Sequence, residues 1–90
     1  MTQGERIKEQ REEAGLSRFD AANAMTEAGC PTRESDFYRW ENDRNQPGFT
    51  ALRFLSRILN TSADYFLGLS DVPAPARATK TQRTPAKAVA

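Results

Sequence analysis

Apolar residues recur along this chain at spacings of three, four and seven, the spacing of one helix face, and polar caps or Gly/Pro breaks separate the segments. Ile7 and Ala14 mark a first helix over about Gly4 to Ala14, with Gly15 where a helix-ending residue belongs. Ser17 is a good N-cap for a second helix, Asp20 follows three residues on, and Ala21, Ala22 and Met25 form its inward stripe. Glu27 to Pro31 is a turn because Gly29 and Pro31 stand so close together. A third helix is predicted with Thr32 as cap, Phe37 and Trp40 inward and Glu41 at its end. Asn42 to Pro47 reads as a polar loop. Leu52, Leu55, Ile58 and Leu59 make a fourth helix, and Ser62 caps a short fifth one with Phe66 and Leu67 inward and Gly68 at its end. No segment alternates as a strand does, and there is no internal repeat. The expected class is all-α, five helices around Ile7, Leu16, Ala21, Ala22, Met25, Phe37, Trp40, Leu52, Leu55, Leu59, Phe66 and Leu67.

Composition divides the chain near residue 71. All eight aromatic residues precede it, whereas residues 72–90 are rich in Ala and Pro and hold Arg77, Lys80, Arg83 and Lys87 without a single acid. Such a segment cannot bury enough apolar surface to offset the entropy of ordering. The expected organisation is therefore one domain over 1–71 and a disordered basic tail over 72–90. The overall charge of +1 conceals a body with nine basic against twelve acidic groups and a tail of +4.

The candidate chemistry is narrowed by what is missing. With no histidine, the commonest acid–base group and every Ser–His or Cys–His nucleophile are excluded. A lone Cys30 forms no internal disulfide and, without histidine, no mixed zinc site. No apolar run approaches the roughly 20 residues of a membrane helix. The reading at this point is a non-enzymatic, cytoplasmic domain with no metal, cofactor, membrane or small-molecule substrate.

The ordered set Arg6-Ile7-Lys8, Arg11, Gly15-Leu16-Ser17, Ala21-Ala22, Met25, Arg39-Trp40-Glu41-Asn42, Pro47, Leu52, Leu55, Leu59, Ser62, Asp64 and Phe66-Leu67-Gly68 resembles the lambda repressor/Cro-like (XRE-type) helix-turn-helix family. It covers residues 5 to 69, and Arg39 to Pro47 with the leucines after it is the most specific part. The resemblance implies a sequence-specific regulator of double-stranded DNA, a repressor of prophage or bacterial type, whose third helix, about residues 32–42, enters the major groove. With Phe37 and Trp40 inward, Arg33, Glu34, Asp36 and Tyr38 point outward as candidate base readers. The resemblance makes Arg33 and Asp36 the leading ones, although Glu34 and Asp36 also suit the first turn of any helix as acids that complement its dipole. Phosphate contacts fall to Arg18, Arg44, Asn45 and the amide groups near Gly48 and Phe49. Arg11 and Glu41 match family positions that pair to tie the first helix to the end of the third. The resemblance also implies homodimers on DNA, with Leu69, Val72 and the fifth helix as candidates for self-association.

Three positions depart from the family pattern. Thr26 to Pro31 lengthens the turn before the third helix by about five residues, Gln10 replaces a usual core leucine, and Asp43 replaces a loop glycine. Residues 32–46 carry three arginines against four acids, net −1, which is little for a DNA surface. Arg77, Lys80, Arg83 and Lys87 either make up the shortage as an arm along the DNA backbone or minor groove, or form a tail that only aids solubility or is the remnant of a longer chain. The competing reading is a protein-interaction module on the same fold, such as an antitoxin, an antirepressor or a partner that sequesters another regulator.

Overall fold

A computed structural model describes residues 1–73 and contains five helices in chain order: α1 Gln3–Glu13, α2 Arg18–Ala28, α3 Glu34–Glu41, α4 Phe49–Ile58 and α5 Ala63–Leu67. Among the described residues there is no strand, so the domain is all-α. The tail residues Arg77, Lys80, Arg83 and Lys87 lie outside them.

α1 packs on α3 and α5, α2 packs on α3 and α4, and α4 closes against α5. Ile7, Ala21, Met25, Phe37 and Leu55 are fully enclosed where these faces meet, with Phe66 beside them. Phe37 and Trp40 sit on one face of α3 with ring centroids 5.0 Å apart and tilted by 59°, within the range of favourable aromatic pairs.

The helix starts explain the layout. Thr2 caps α1: its hydroxyl accepts the Glu5 N–H at 3.1 Å, and Glu5 Oε1 accepts the Thr2 N–H at 2.7 Å. Ser17 caps α2 and Ser62 caps α5, accepting at 3.0 and 3.1 Å. Gly29 ends α2 at φ 115, a left-handed position that suits glycine. Gly4 has a different reason for being glycine. A Cβ there would stand 2.4 Å from the Trp40 carbonyl oxygen and 2.6 Å from that of Glu41, so the backbones of α1 and α3 meet at this point.

Some expectations are corrected. Thr32 does not cap α3: its hydroxyl meets the Cys30 carbonyl at 2.8 Å and its N–H meets the Thr26 hydroxyl at 3.0 Å, so the turn uses both groups. The helix starts one residue later, with Arg33 at the cap position. The lengthened connection is partly helix, because α2 runs on to Ala28. Leu67, expected inward, is 52% exposed; Gly68 ends α5 immediately after it, and Tyr65 fills the core position instead. Leu16 is only half-buried against the core.

Gln10 is matched by Thr61. That threonine is buried, and its hydroxyl lies 3.1 Å from Gln10 Oε1 and 2.9 Å from the Leu59 carbonyl, so a polar pair replaces an apolar one. The chain beyond α5 folds back onto the body. Arg6 donates through Nη1 to the Tyr65 and Ser70 carbonyls at 2.7 and 2.9 Å, and the Ser62 N–H donates to the Pro73 carbonyl at 2.8 Å.

Candidate nucleic-acid interface

α3 is an amphipathic rod of eight residues. Phe37, Trp40 and Glu41 are buried; Glu34, Ser35, Tyr38 and Arg39 are exposed, as are Arg33 before the helix and Asn42 after it. At about 100° per residue, Ser35, Arg39 and Asn42 lie opposite the buried face, with Tyr38 beside them. Ser35, Arg39 and Asn42 were absent from the readers that the resemblance implied. Counting outward from Phe37 and Trp40 at helical spacing places these three on the exposed side of the helix.

What holds this rod is a buried charge cluster. Glu41, its side chain 1% exposed, accepts Arg11 Nε at 2.6 Å and Arg11 Nη2 at 3.1 Å, a bidentate pair. Arg11 also donates from Nη1 to the Leu16 carbonyl at 2.8 Å, which ties in the connection between α1 and α2. Arg18 adds a third contact, from Nε to Glu41 Oε1 at 3.0 Å, and its guanidinium lies 5.4 Å from the Tyr38 ring centre. One carboxylate at the end of α3 therefore joins α1, α2 and α3. Arg18, expected only as a phosphate contact, is also part of this support.

The first turn of α3 carries a smaller network. Asp36 Oδ2 accepts the Arg33 N–H at 2.9 Å, and Asp36 Oδ1 accepts from Arg39 Nη1 at 3.4 Å. Past α3, Asp43 takes a left-handed backbone at φ 58, and its Oδ1 accepts the Gly4 N–H at 3.0 Å. Among the described residues, three of the four acids in residues 32–46 thus have partners within the protein, and Glu34 has none. Arg33, Arg39 and Arg44 are all exposed. With Glu41 buried, the outward side carries these three arginines against exposed Glu34 and Asp43 and a partly exposed Asp36, so it is close to neutral rather than acidic.

The loop places its polar groups in the open. Arg44, Asn45 and Gln46 are exposed, and Gly48 stands at the cap of α4 without a side-chain acceptor for the amides that follow. Free amides at a helix start, where the helix dipole is positive, are anion donors. Among the described residues there is no cluster of acids or cysteine able to hold a metal.

Comparison with known proteins agrees with this geometry. The HTH-type transcriptional regulator ImmR of Bacillus subtilis (strain 168) is 32% identical over 72 residues, which are 80% of this chain and 53% of that protein. The chain is similar to a helix-turn-helix regulator. It spans about half the length of that curated relative. No protein-family model matches the chain. No solved structure matches it. α2 and α3 pack on each other, and both leave polar residues exposed, Asp20, Asn23 and Glu27 on the first and Ser35 and Arg39 on the second. No helix among the described residues is long and apolar enough to cross a membrane.

Proposed function

We propose that this chain is a cytoplasmic, sequence-specific regulator of double-stranded DNA, a repressor of the lambda repressor/Cro-like kind and of prophage or bacterial origin, that sets α3 into the major groove. One observation carries the reading: a short polar helix is held at a fixed tilt by a buried Arg11–Glu41 pair, with arginines on its outer side. Its geometry suits a groove about as wide as a helix. Arg33, Glu34 and Tyr38 read base edges together with Ser35 and Arg39. Arg18, Arg44, Asn45 and the amides after Gly48 take phosphates, with Arg18 using the guanidinium nitrogens that Glu41 leaves free. The similarity to a transcriptional regulator supports the same reading.

The protein binds DNA as a homodimer, with Leu67, Leu69 and Val72 as the apolar contact. These residues are 52%, 76% and 61% exposed and follow one another at the end of the described chain. Arg77, Lys80, Arg83 and Lys87 lie along the DNA backbone and add sequence-independent affinity.

The alternative, a protein-interaction module, drew its support from the acidity of residues 32–46. That support weakens because Glu41 is buried against Arg11 and Arg18 and adds no charge to the surface. A salt series of binding to random duplex DNA decides between them. The DNA-binding reading expects affinity that falls steeply with salt, and selection from a randomised duplex pool that yields a two-fold site with half-sites about one helical turn apart. No binding at any salt concentration would overturn it.

A further inference from the structure

The geometry points to Asp36 as a positioning residue that holds Arg39 for contact with a base, an inference that rests on the DNA-binding reading above. Asp36 Oδ2 accepts the Arg33 N–H at 2.9 Å and lies 4.0 Å from Arg33 Nε, while Oδ1 accepts from Arg39 Nη1 at 3.4 Å. Both oxygens therefore face donors of the protein itself. The Asp36 side chain is 28% exposed, against 46% for Arg39 and 80% for Arg33. The acid lies low on the first turn, and the two guanidinium groups stand above it.

Two physical effects follow. Arg39 sits one turn after Ser35 on the outermost line of α3, and Asp36 engages only one edge of its fork. A guanidinium already tethered loses less rotamer freedom when it forms a bidentate pair with the O6 and N7 of guanine. A carboxylate beside it also repels phosphate, which disfavours the sequence-independent contact that a free arginine would make. Asp36 thus favours the specific use of Arg39 over the non-specific one, and it does so without touching DNA. The first-turn acid acts through the arginine three residues later.

The test uses the full 90-residue chain, a randomised duplex pool and the sites the wild type selects from it. Arg39→Ala is expected to flatten the preference for guanine at one position of each half-site by about 5- to 160-fold. Asp36→Asn retains an oxygen for the Arg33 N–H but removes the charge that holds Arg39. It is expected to flatten that same position by about two- to tenfold and to raise affinity for unrelated duplex. Combined with Arg39→Ala it should add no further loss at that position. Asp36→Glu, with a carboxylate suited to the same capping place, should restore the wild-type preference. A role in capping alone would lower the melting temperature and weaken all sequences alike, and that outcome overturns the inference. So does an Asp36→Asn protein with wild-type base preferences. If the wild type selects no site, the DNA-binding reading itself fails, and the inference with it.

Discussion

Asp43 Oδ1 accepts the backbone N–H of Gly4 at 3.0 Å across 39 residues of sequence, so the loop that leaves α3 caps the helix that begins the chain. Asp43 does this from φ 58, a backbone that costs most side chains about 1–2 kcal/mol. Two effects therefore meet in one residue, and substitutions separate them. Asp43→Asn keeps an acceptor and tolerates the backbone, and its stability is expected to match the wild type. Asp43→Gly loses the acceptor but relieves the backbone, for a net cost within about 1 kcal/mol. Asp43→Ala loses the acceptor and keeps the strain, and should cost about 2–3 kcal/mol. Urea unfolding of the three variants checks the order, and equal stability for the Gly and Ala proteins would remove backbone strain from the account.

Gly4 is expected to be intolerant for a reason that concerns packing rather than flexibility. A methyl group there would lie 2.4 Å from the Trp40 carbonyl oxygen and 2.8 Å from the Glu41 carbonyl carbon, both main-chain atoms that cannot swing away. Gly4→Ala must push α1 off the end of α3, and overpacking of this kind costs about 1–3 kcal/mol. The same displacement strains the Arg11–Glu41 pair a few residues away. The expected result is a lower unfolding midpoint together with weaker DNA binding measured well below that midpoint.

Much of this fold was legible in the sequence because it rests on local rules. The caps Ser17 and Ser62, the Gly–Pro break and the leucine spacing of α4 each depend on neighbours within a few residues, and they put the five helices where they are. The errors came from nearby competing partners that helix patterns do not weigh. Thr32 is a good cap, yet Thr26 and the Cys30 carbonyl claim its groups, and no local rule weighs a turn against a helix start. Leu67 continues an apolar pattern, but the chain turns at Gly68 before that side chain can reach the core. The closeness of Gly4 to α3, the match between Gln10 and Thr61, and the bond from the Gly4 N–H to Asp43 are tertiary facts. The net charge of residues 32–46 overstates the acidity of the surface by one charge, because Glu41 is buried and only structure shows that.

Glu41 is expected to be the most sensitive charged position. Its carboxylate is almost wholly enclosed, and three nitrogens from two arginines surround it. Glu41→Ala leaves the Arg11 guanidinium, 8% exposed, without its counter-charge, and breaking a buried pair in this way costs about 3–5 kcal/mol. Arg18 is more exposed, at 32%, and Arg18→Ala should cost no more than about 1 kcal/mol of stability. On DNA the order changes in kind: Arg18→Ala should weaken all duplexes alike, since it touches no base. Chemical unfolding and a binding assay on matched and random duplexes, done on the same two variants, separate support from contact.

Stability should respond to pH through Glu9 and Tyr65, which hold α5 against α1. The Tyr65 hydroxyl donates to Glu9 Oε1 at 2.5 Å. That donated bond, helped by Gln10 and by the Arg6 charge, holds the Glu9 carboxyl below its ordinary pKa. Acceptance by Glu9, with burial of the ring, raises the Tyr65 phenol above its own. A lowered carboxylate pKa contributes stability that is present above about pH 4.3, the ordinary glutamate value, and is lost as pH falls through the lowered one. A raised phenol contributes stability that is present below about pH 10 and is lost as pH rises through the raised value. Tyr65→Phe should remove the part of both limbs that this bond supplies. Unfolding midpoints of the two proteins should then differ most in the neutral range and converge at either extreme.

The basic tail yields the last expectation. Each phosphate neutralised contributes about −0.9 to the slope of log affinity against log salt. Deleting residues 74–90 removes all four tail charges but spares Pro73, whose carbonyl accepts the Ser62 N–H and belongs to the packed end of α5. If the arm lies on DNA, the slope should become shallower by up to about 3.6, with the base preferences of the selected site unchanged. Replacing Arg77, Lys80, Arg83 and Lys87 by Gln tests charge without shortening the chain and should give the same slope. Sequence preference and salt dependence would then have separate sources, the outer line of α3 for the first and the tail for much of the second. An unaltered slope in both variants would return the whole phosphate contact to Arg18, Arg44, Asn45 and the amides at the start of α4.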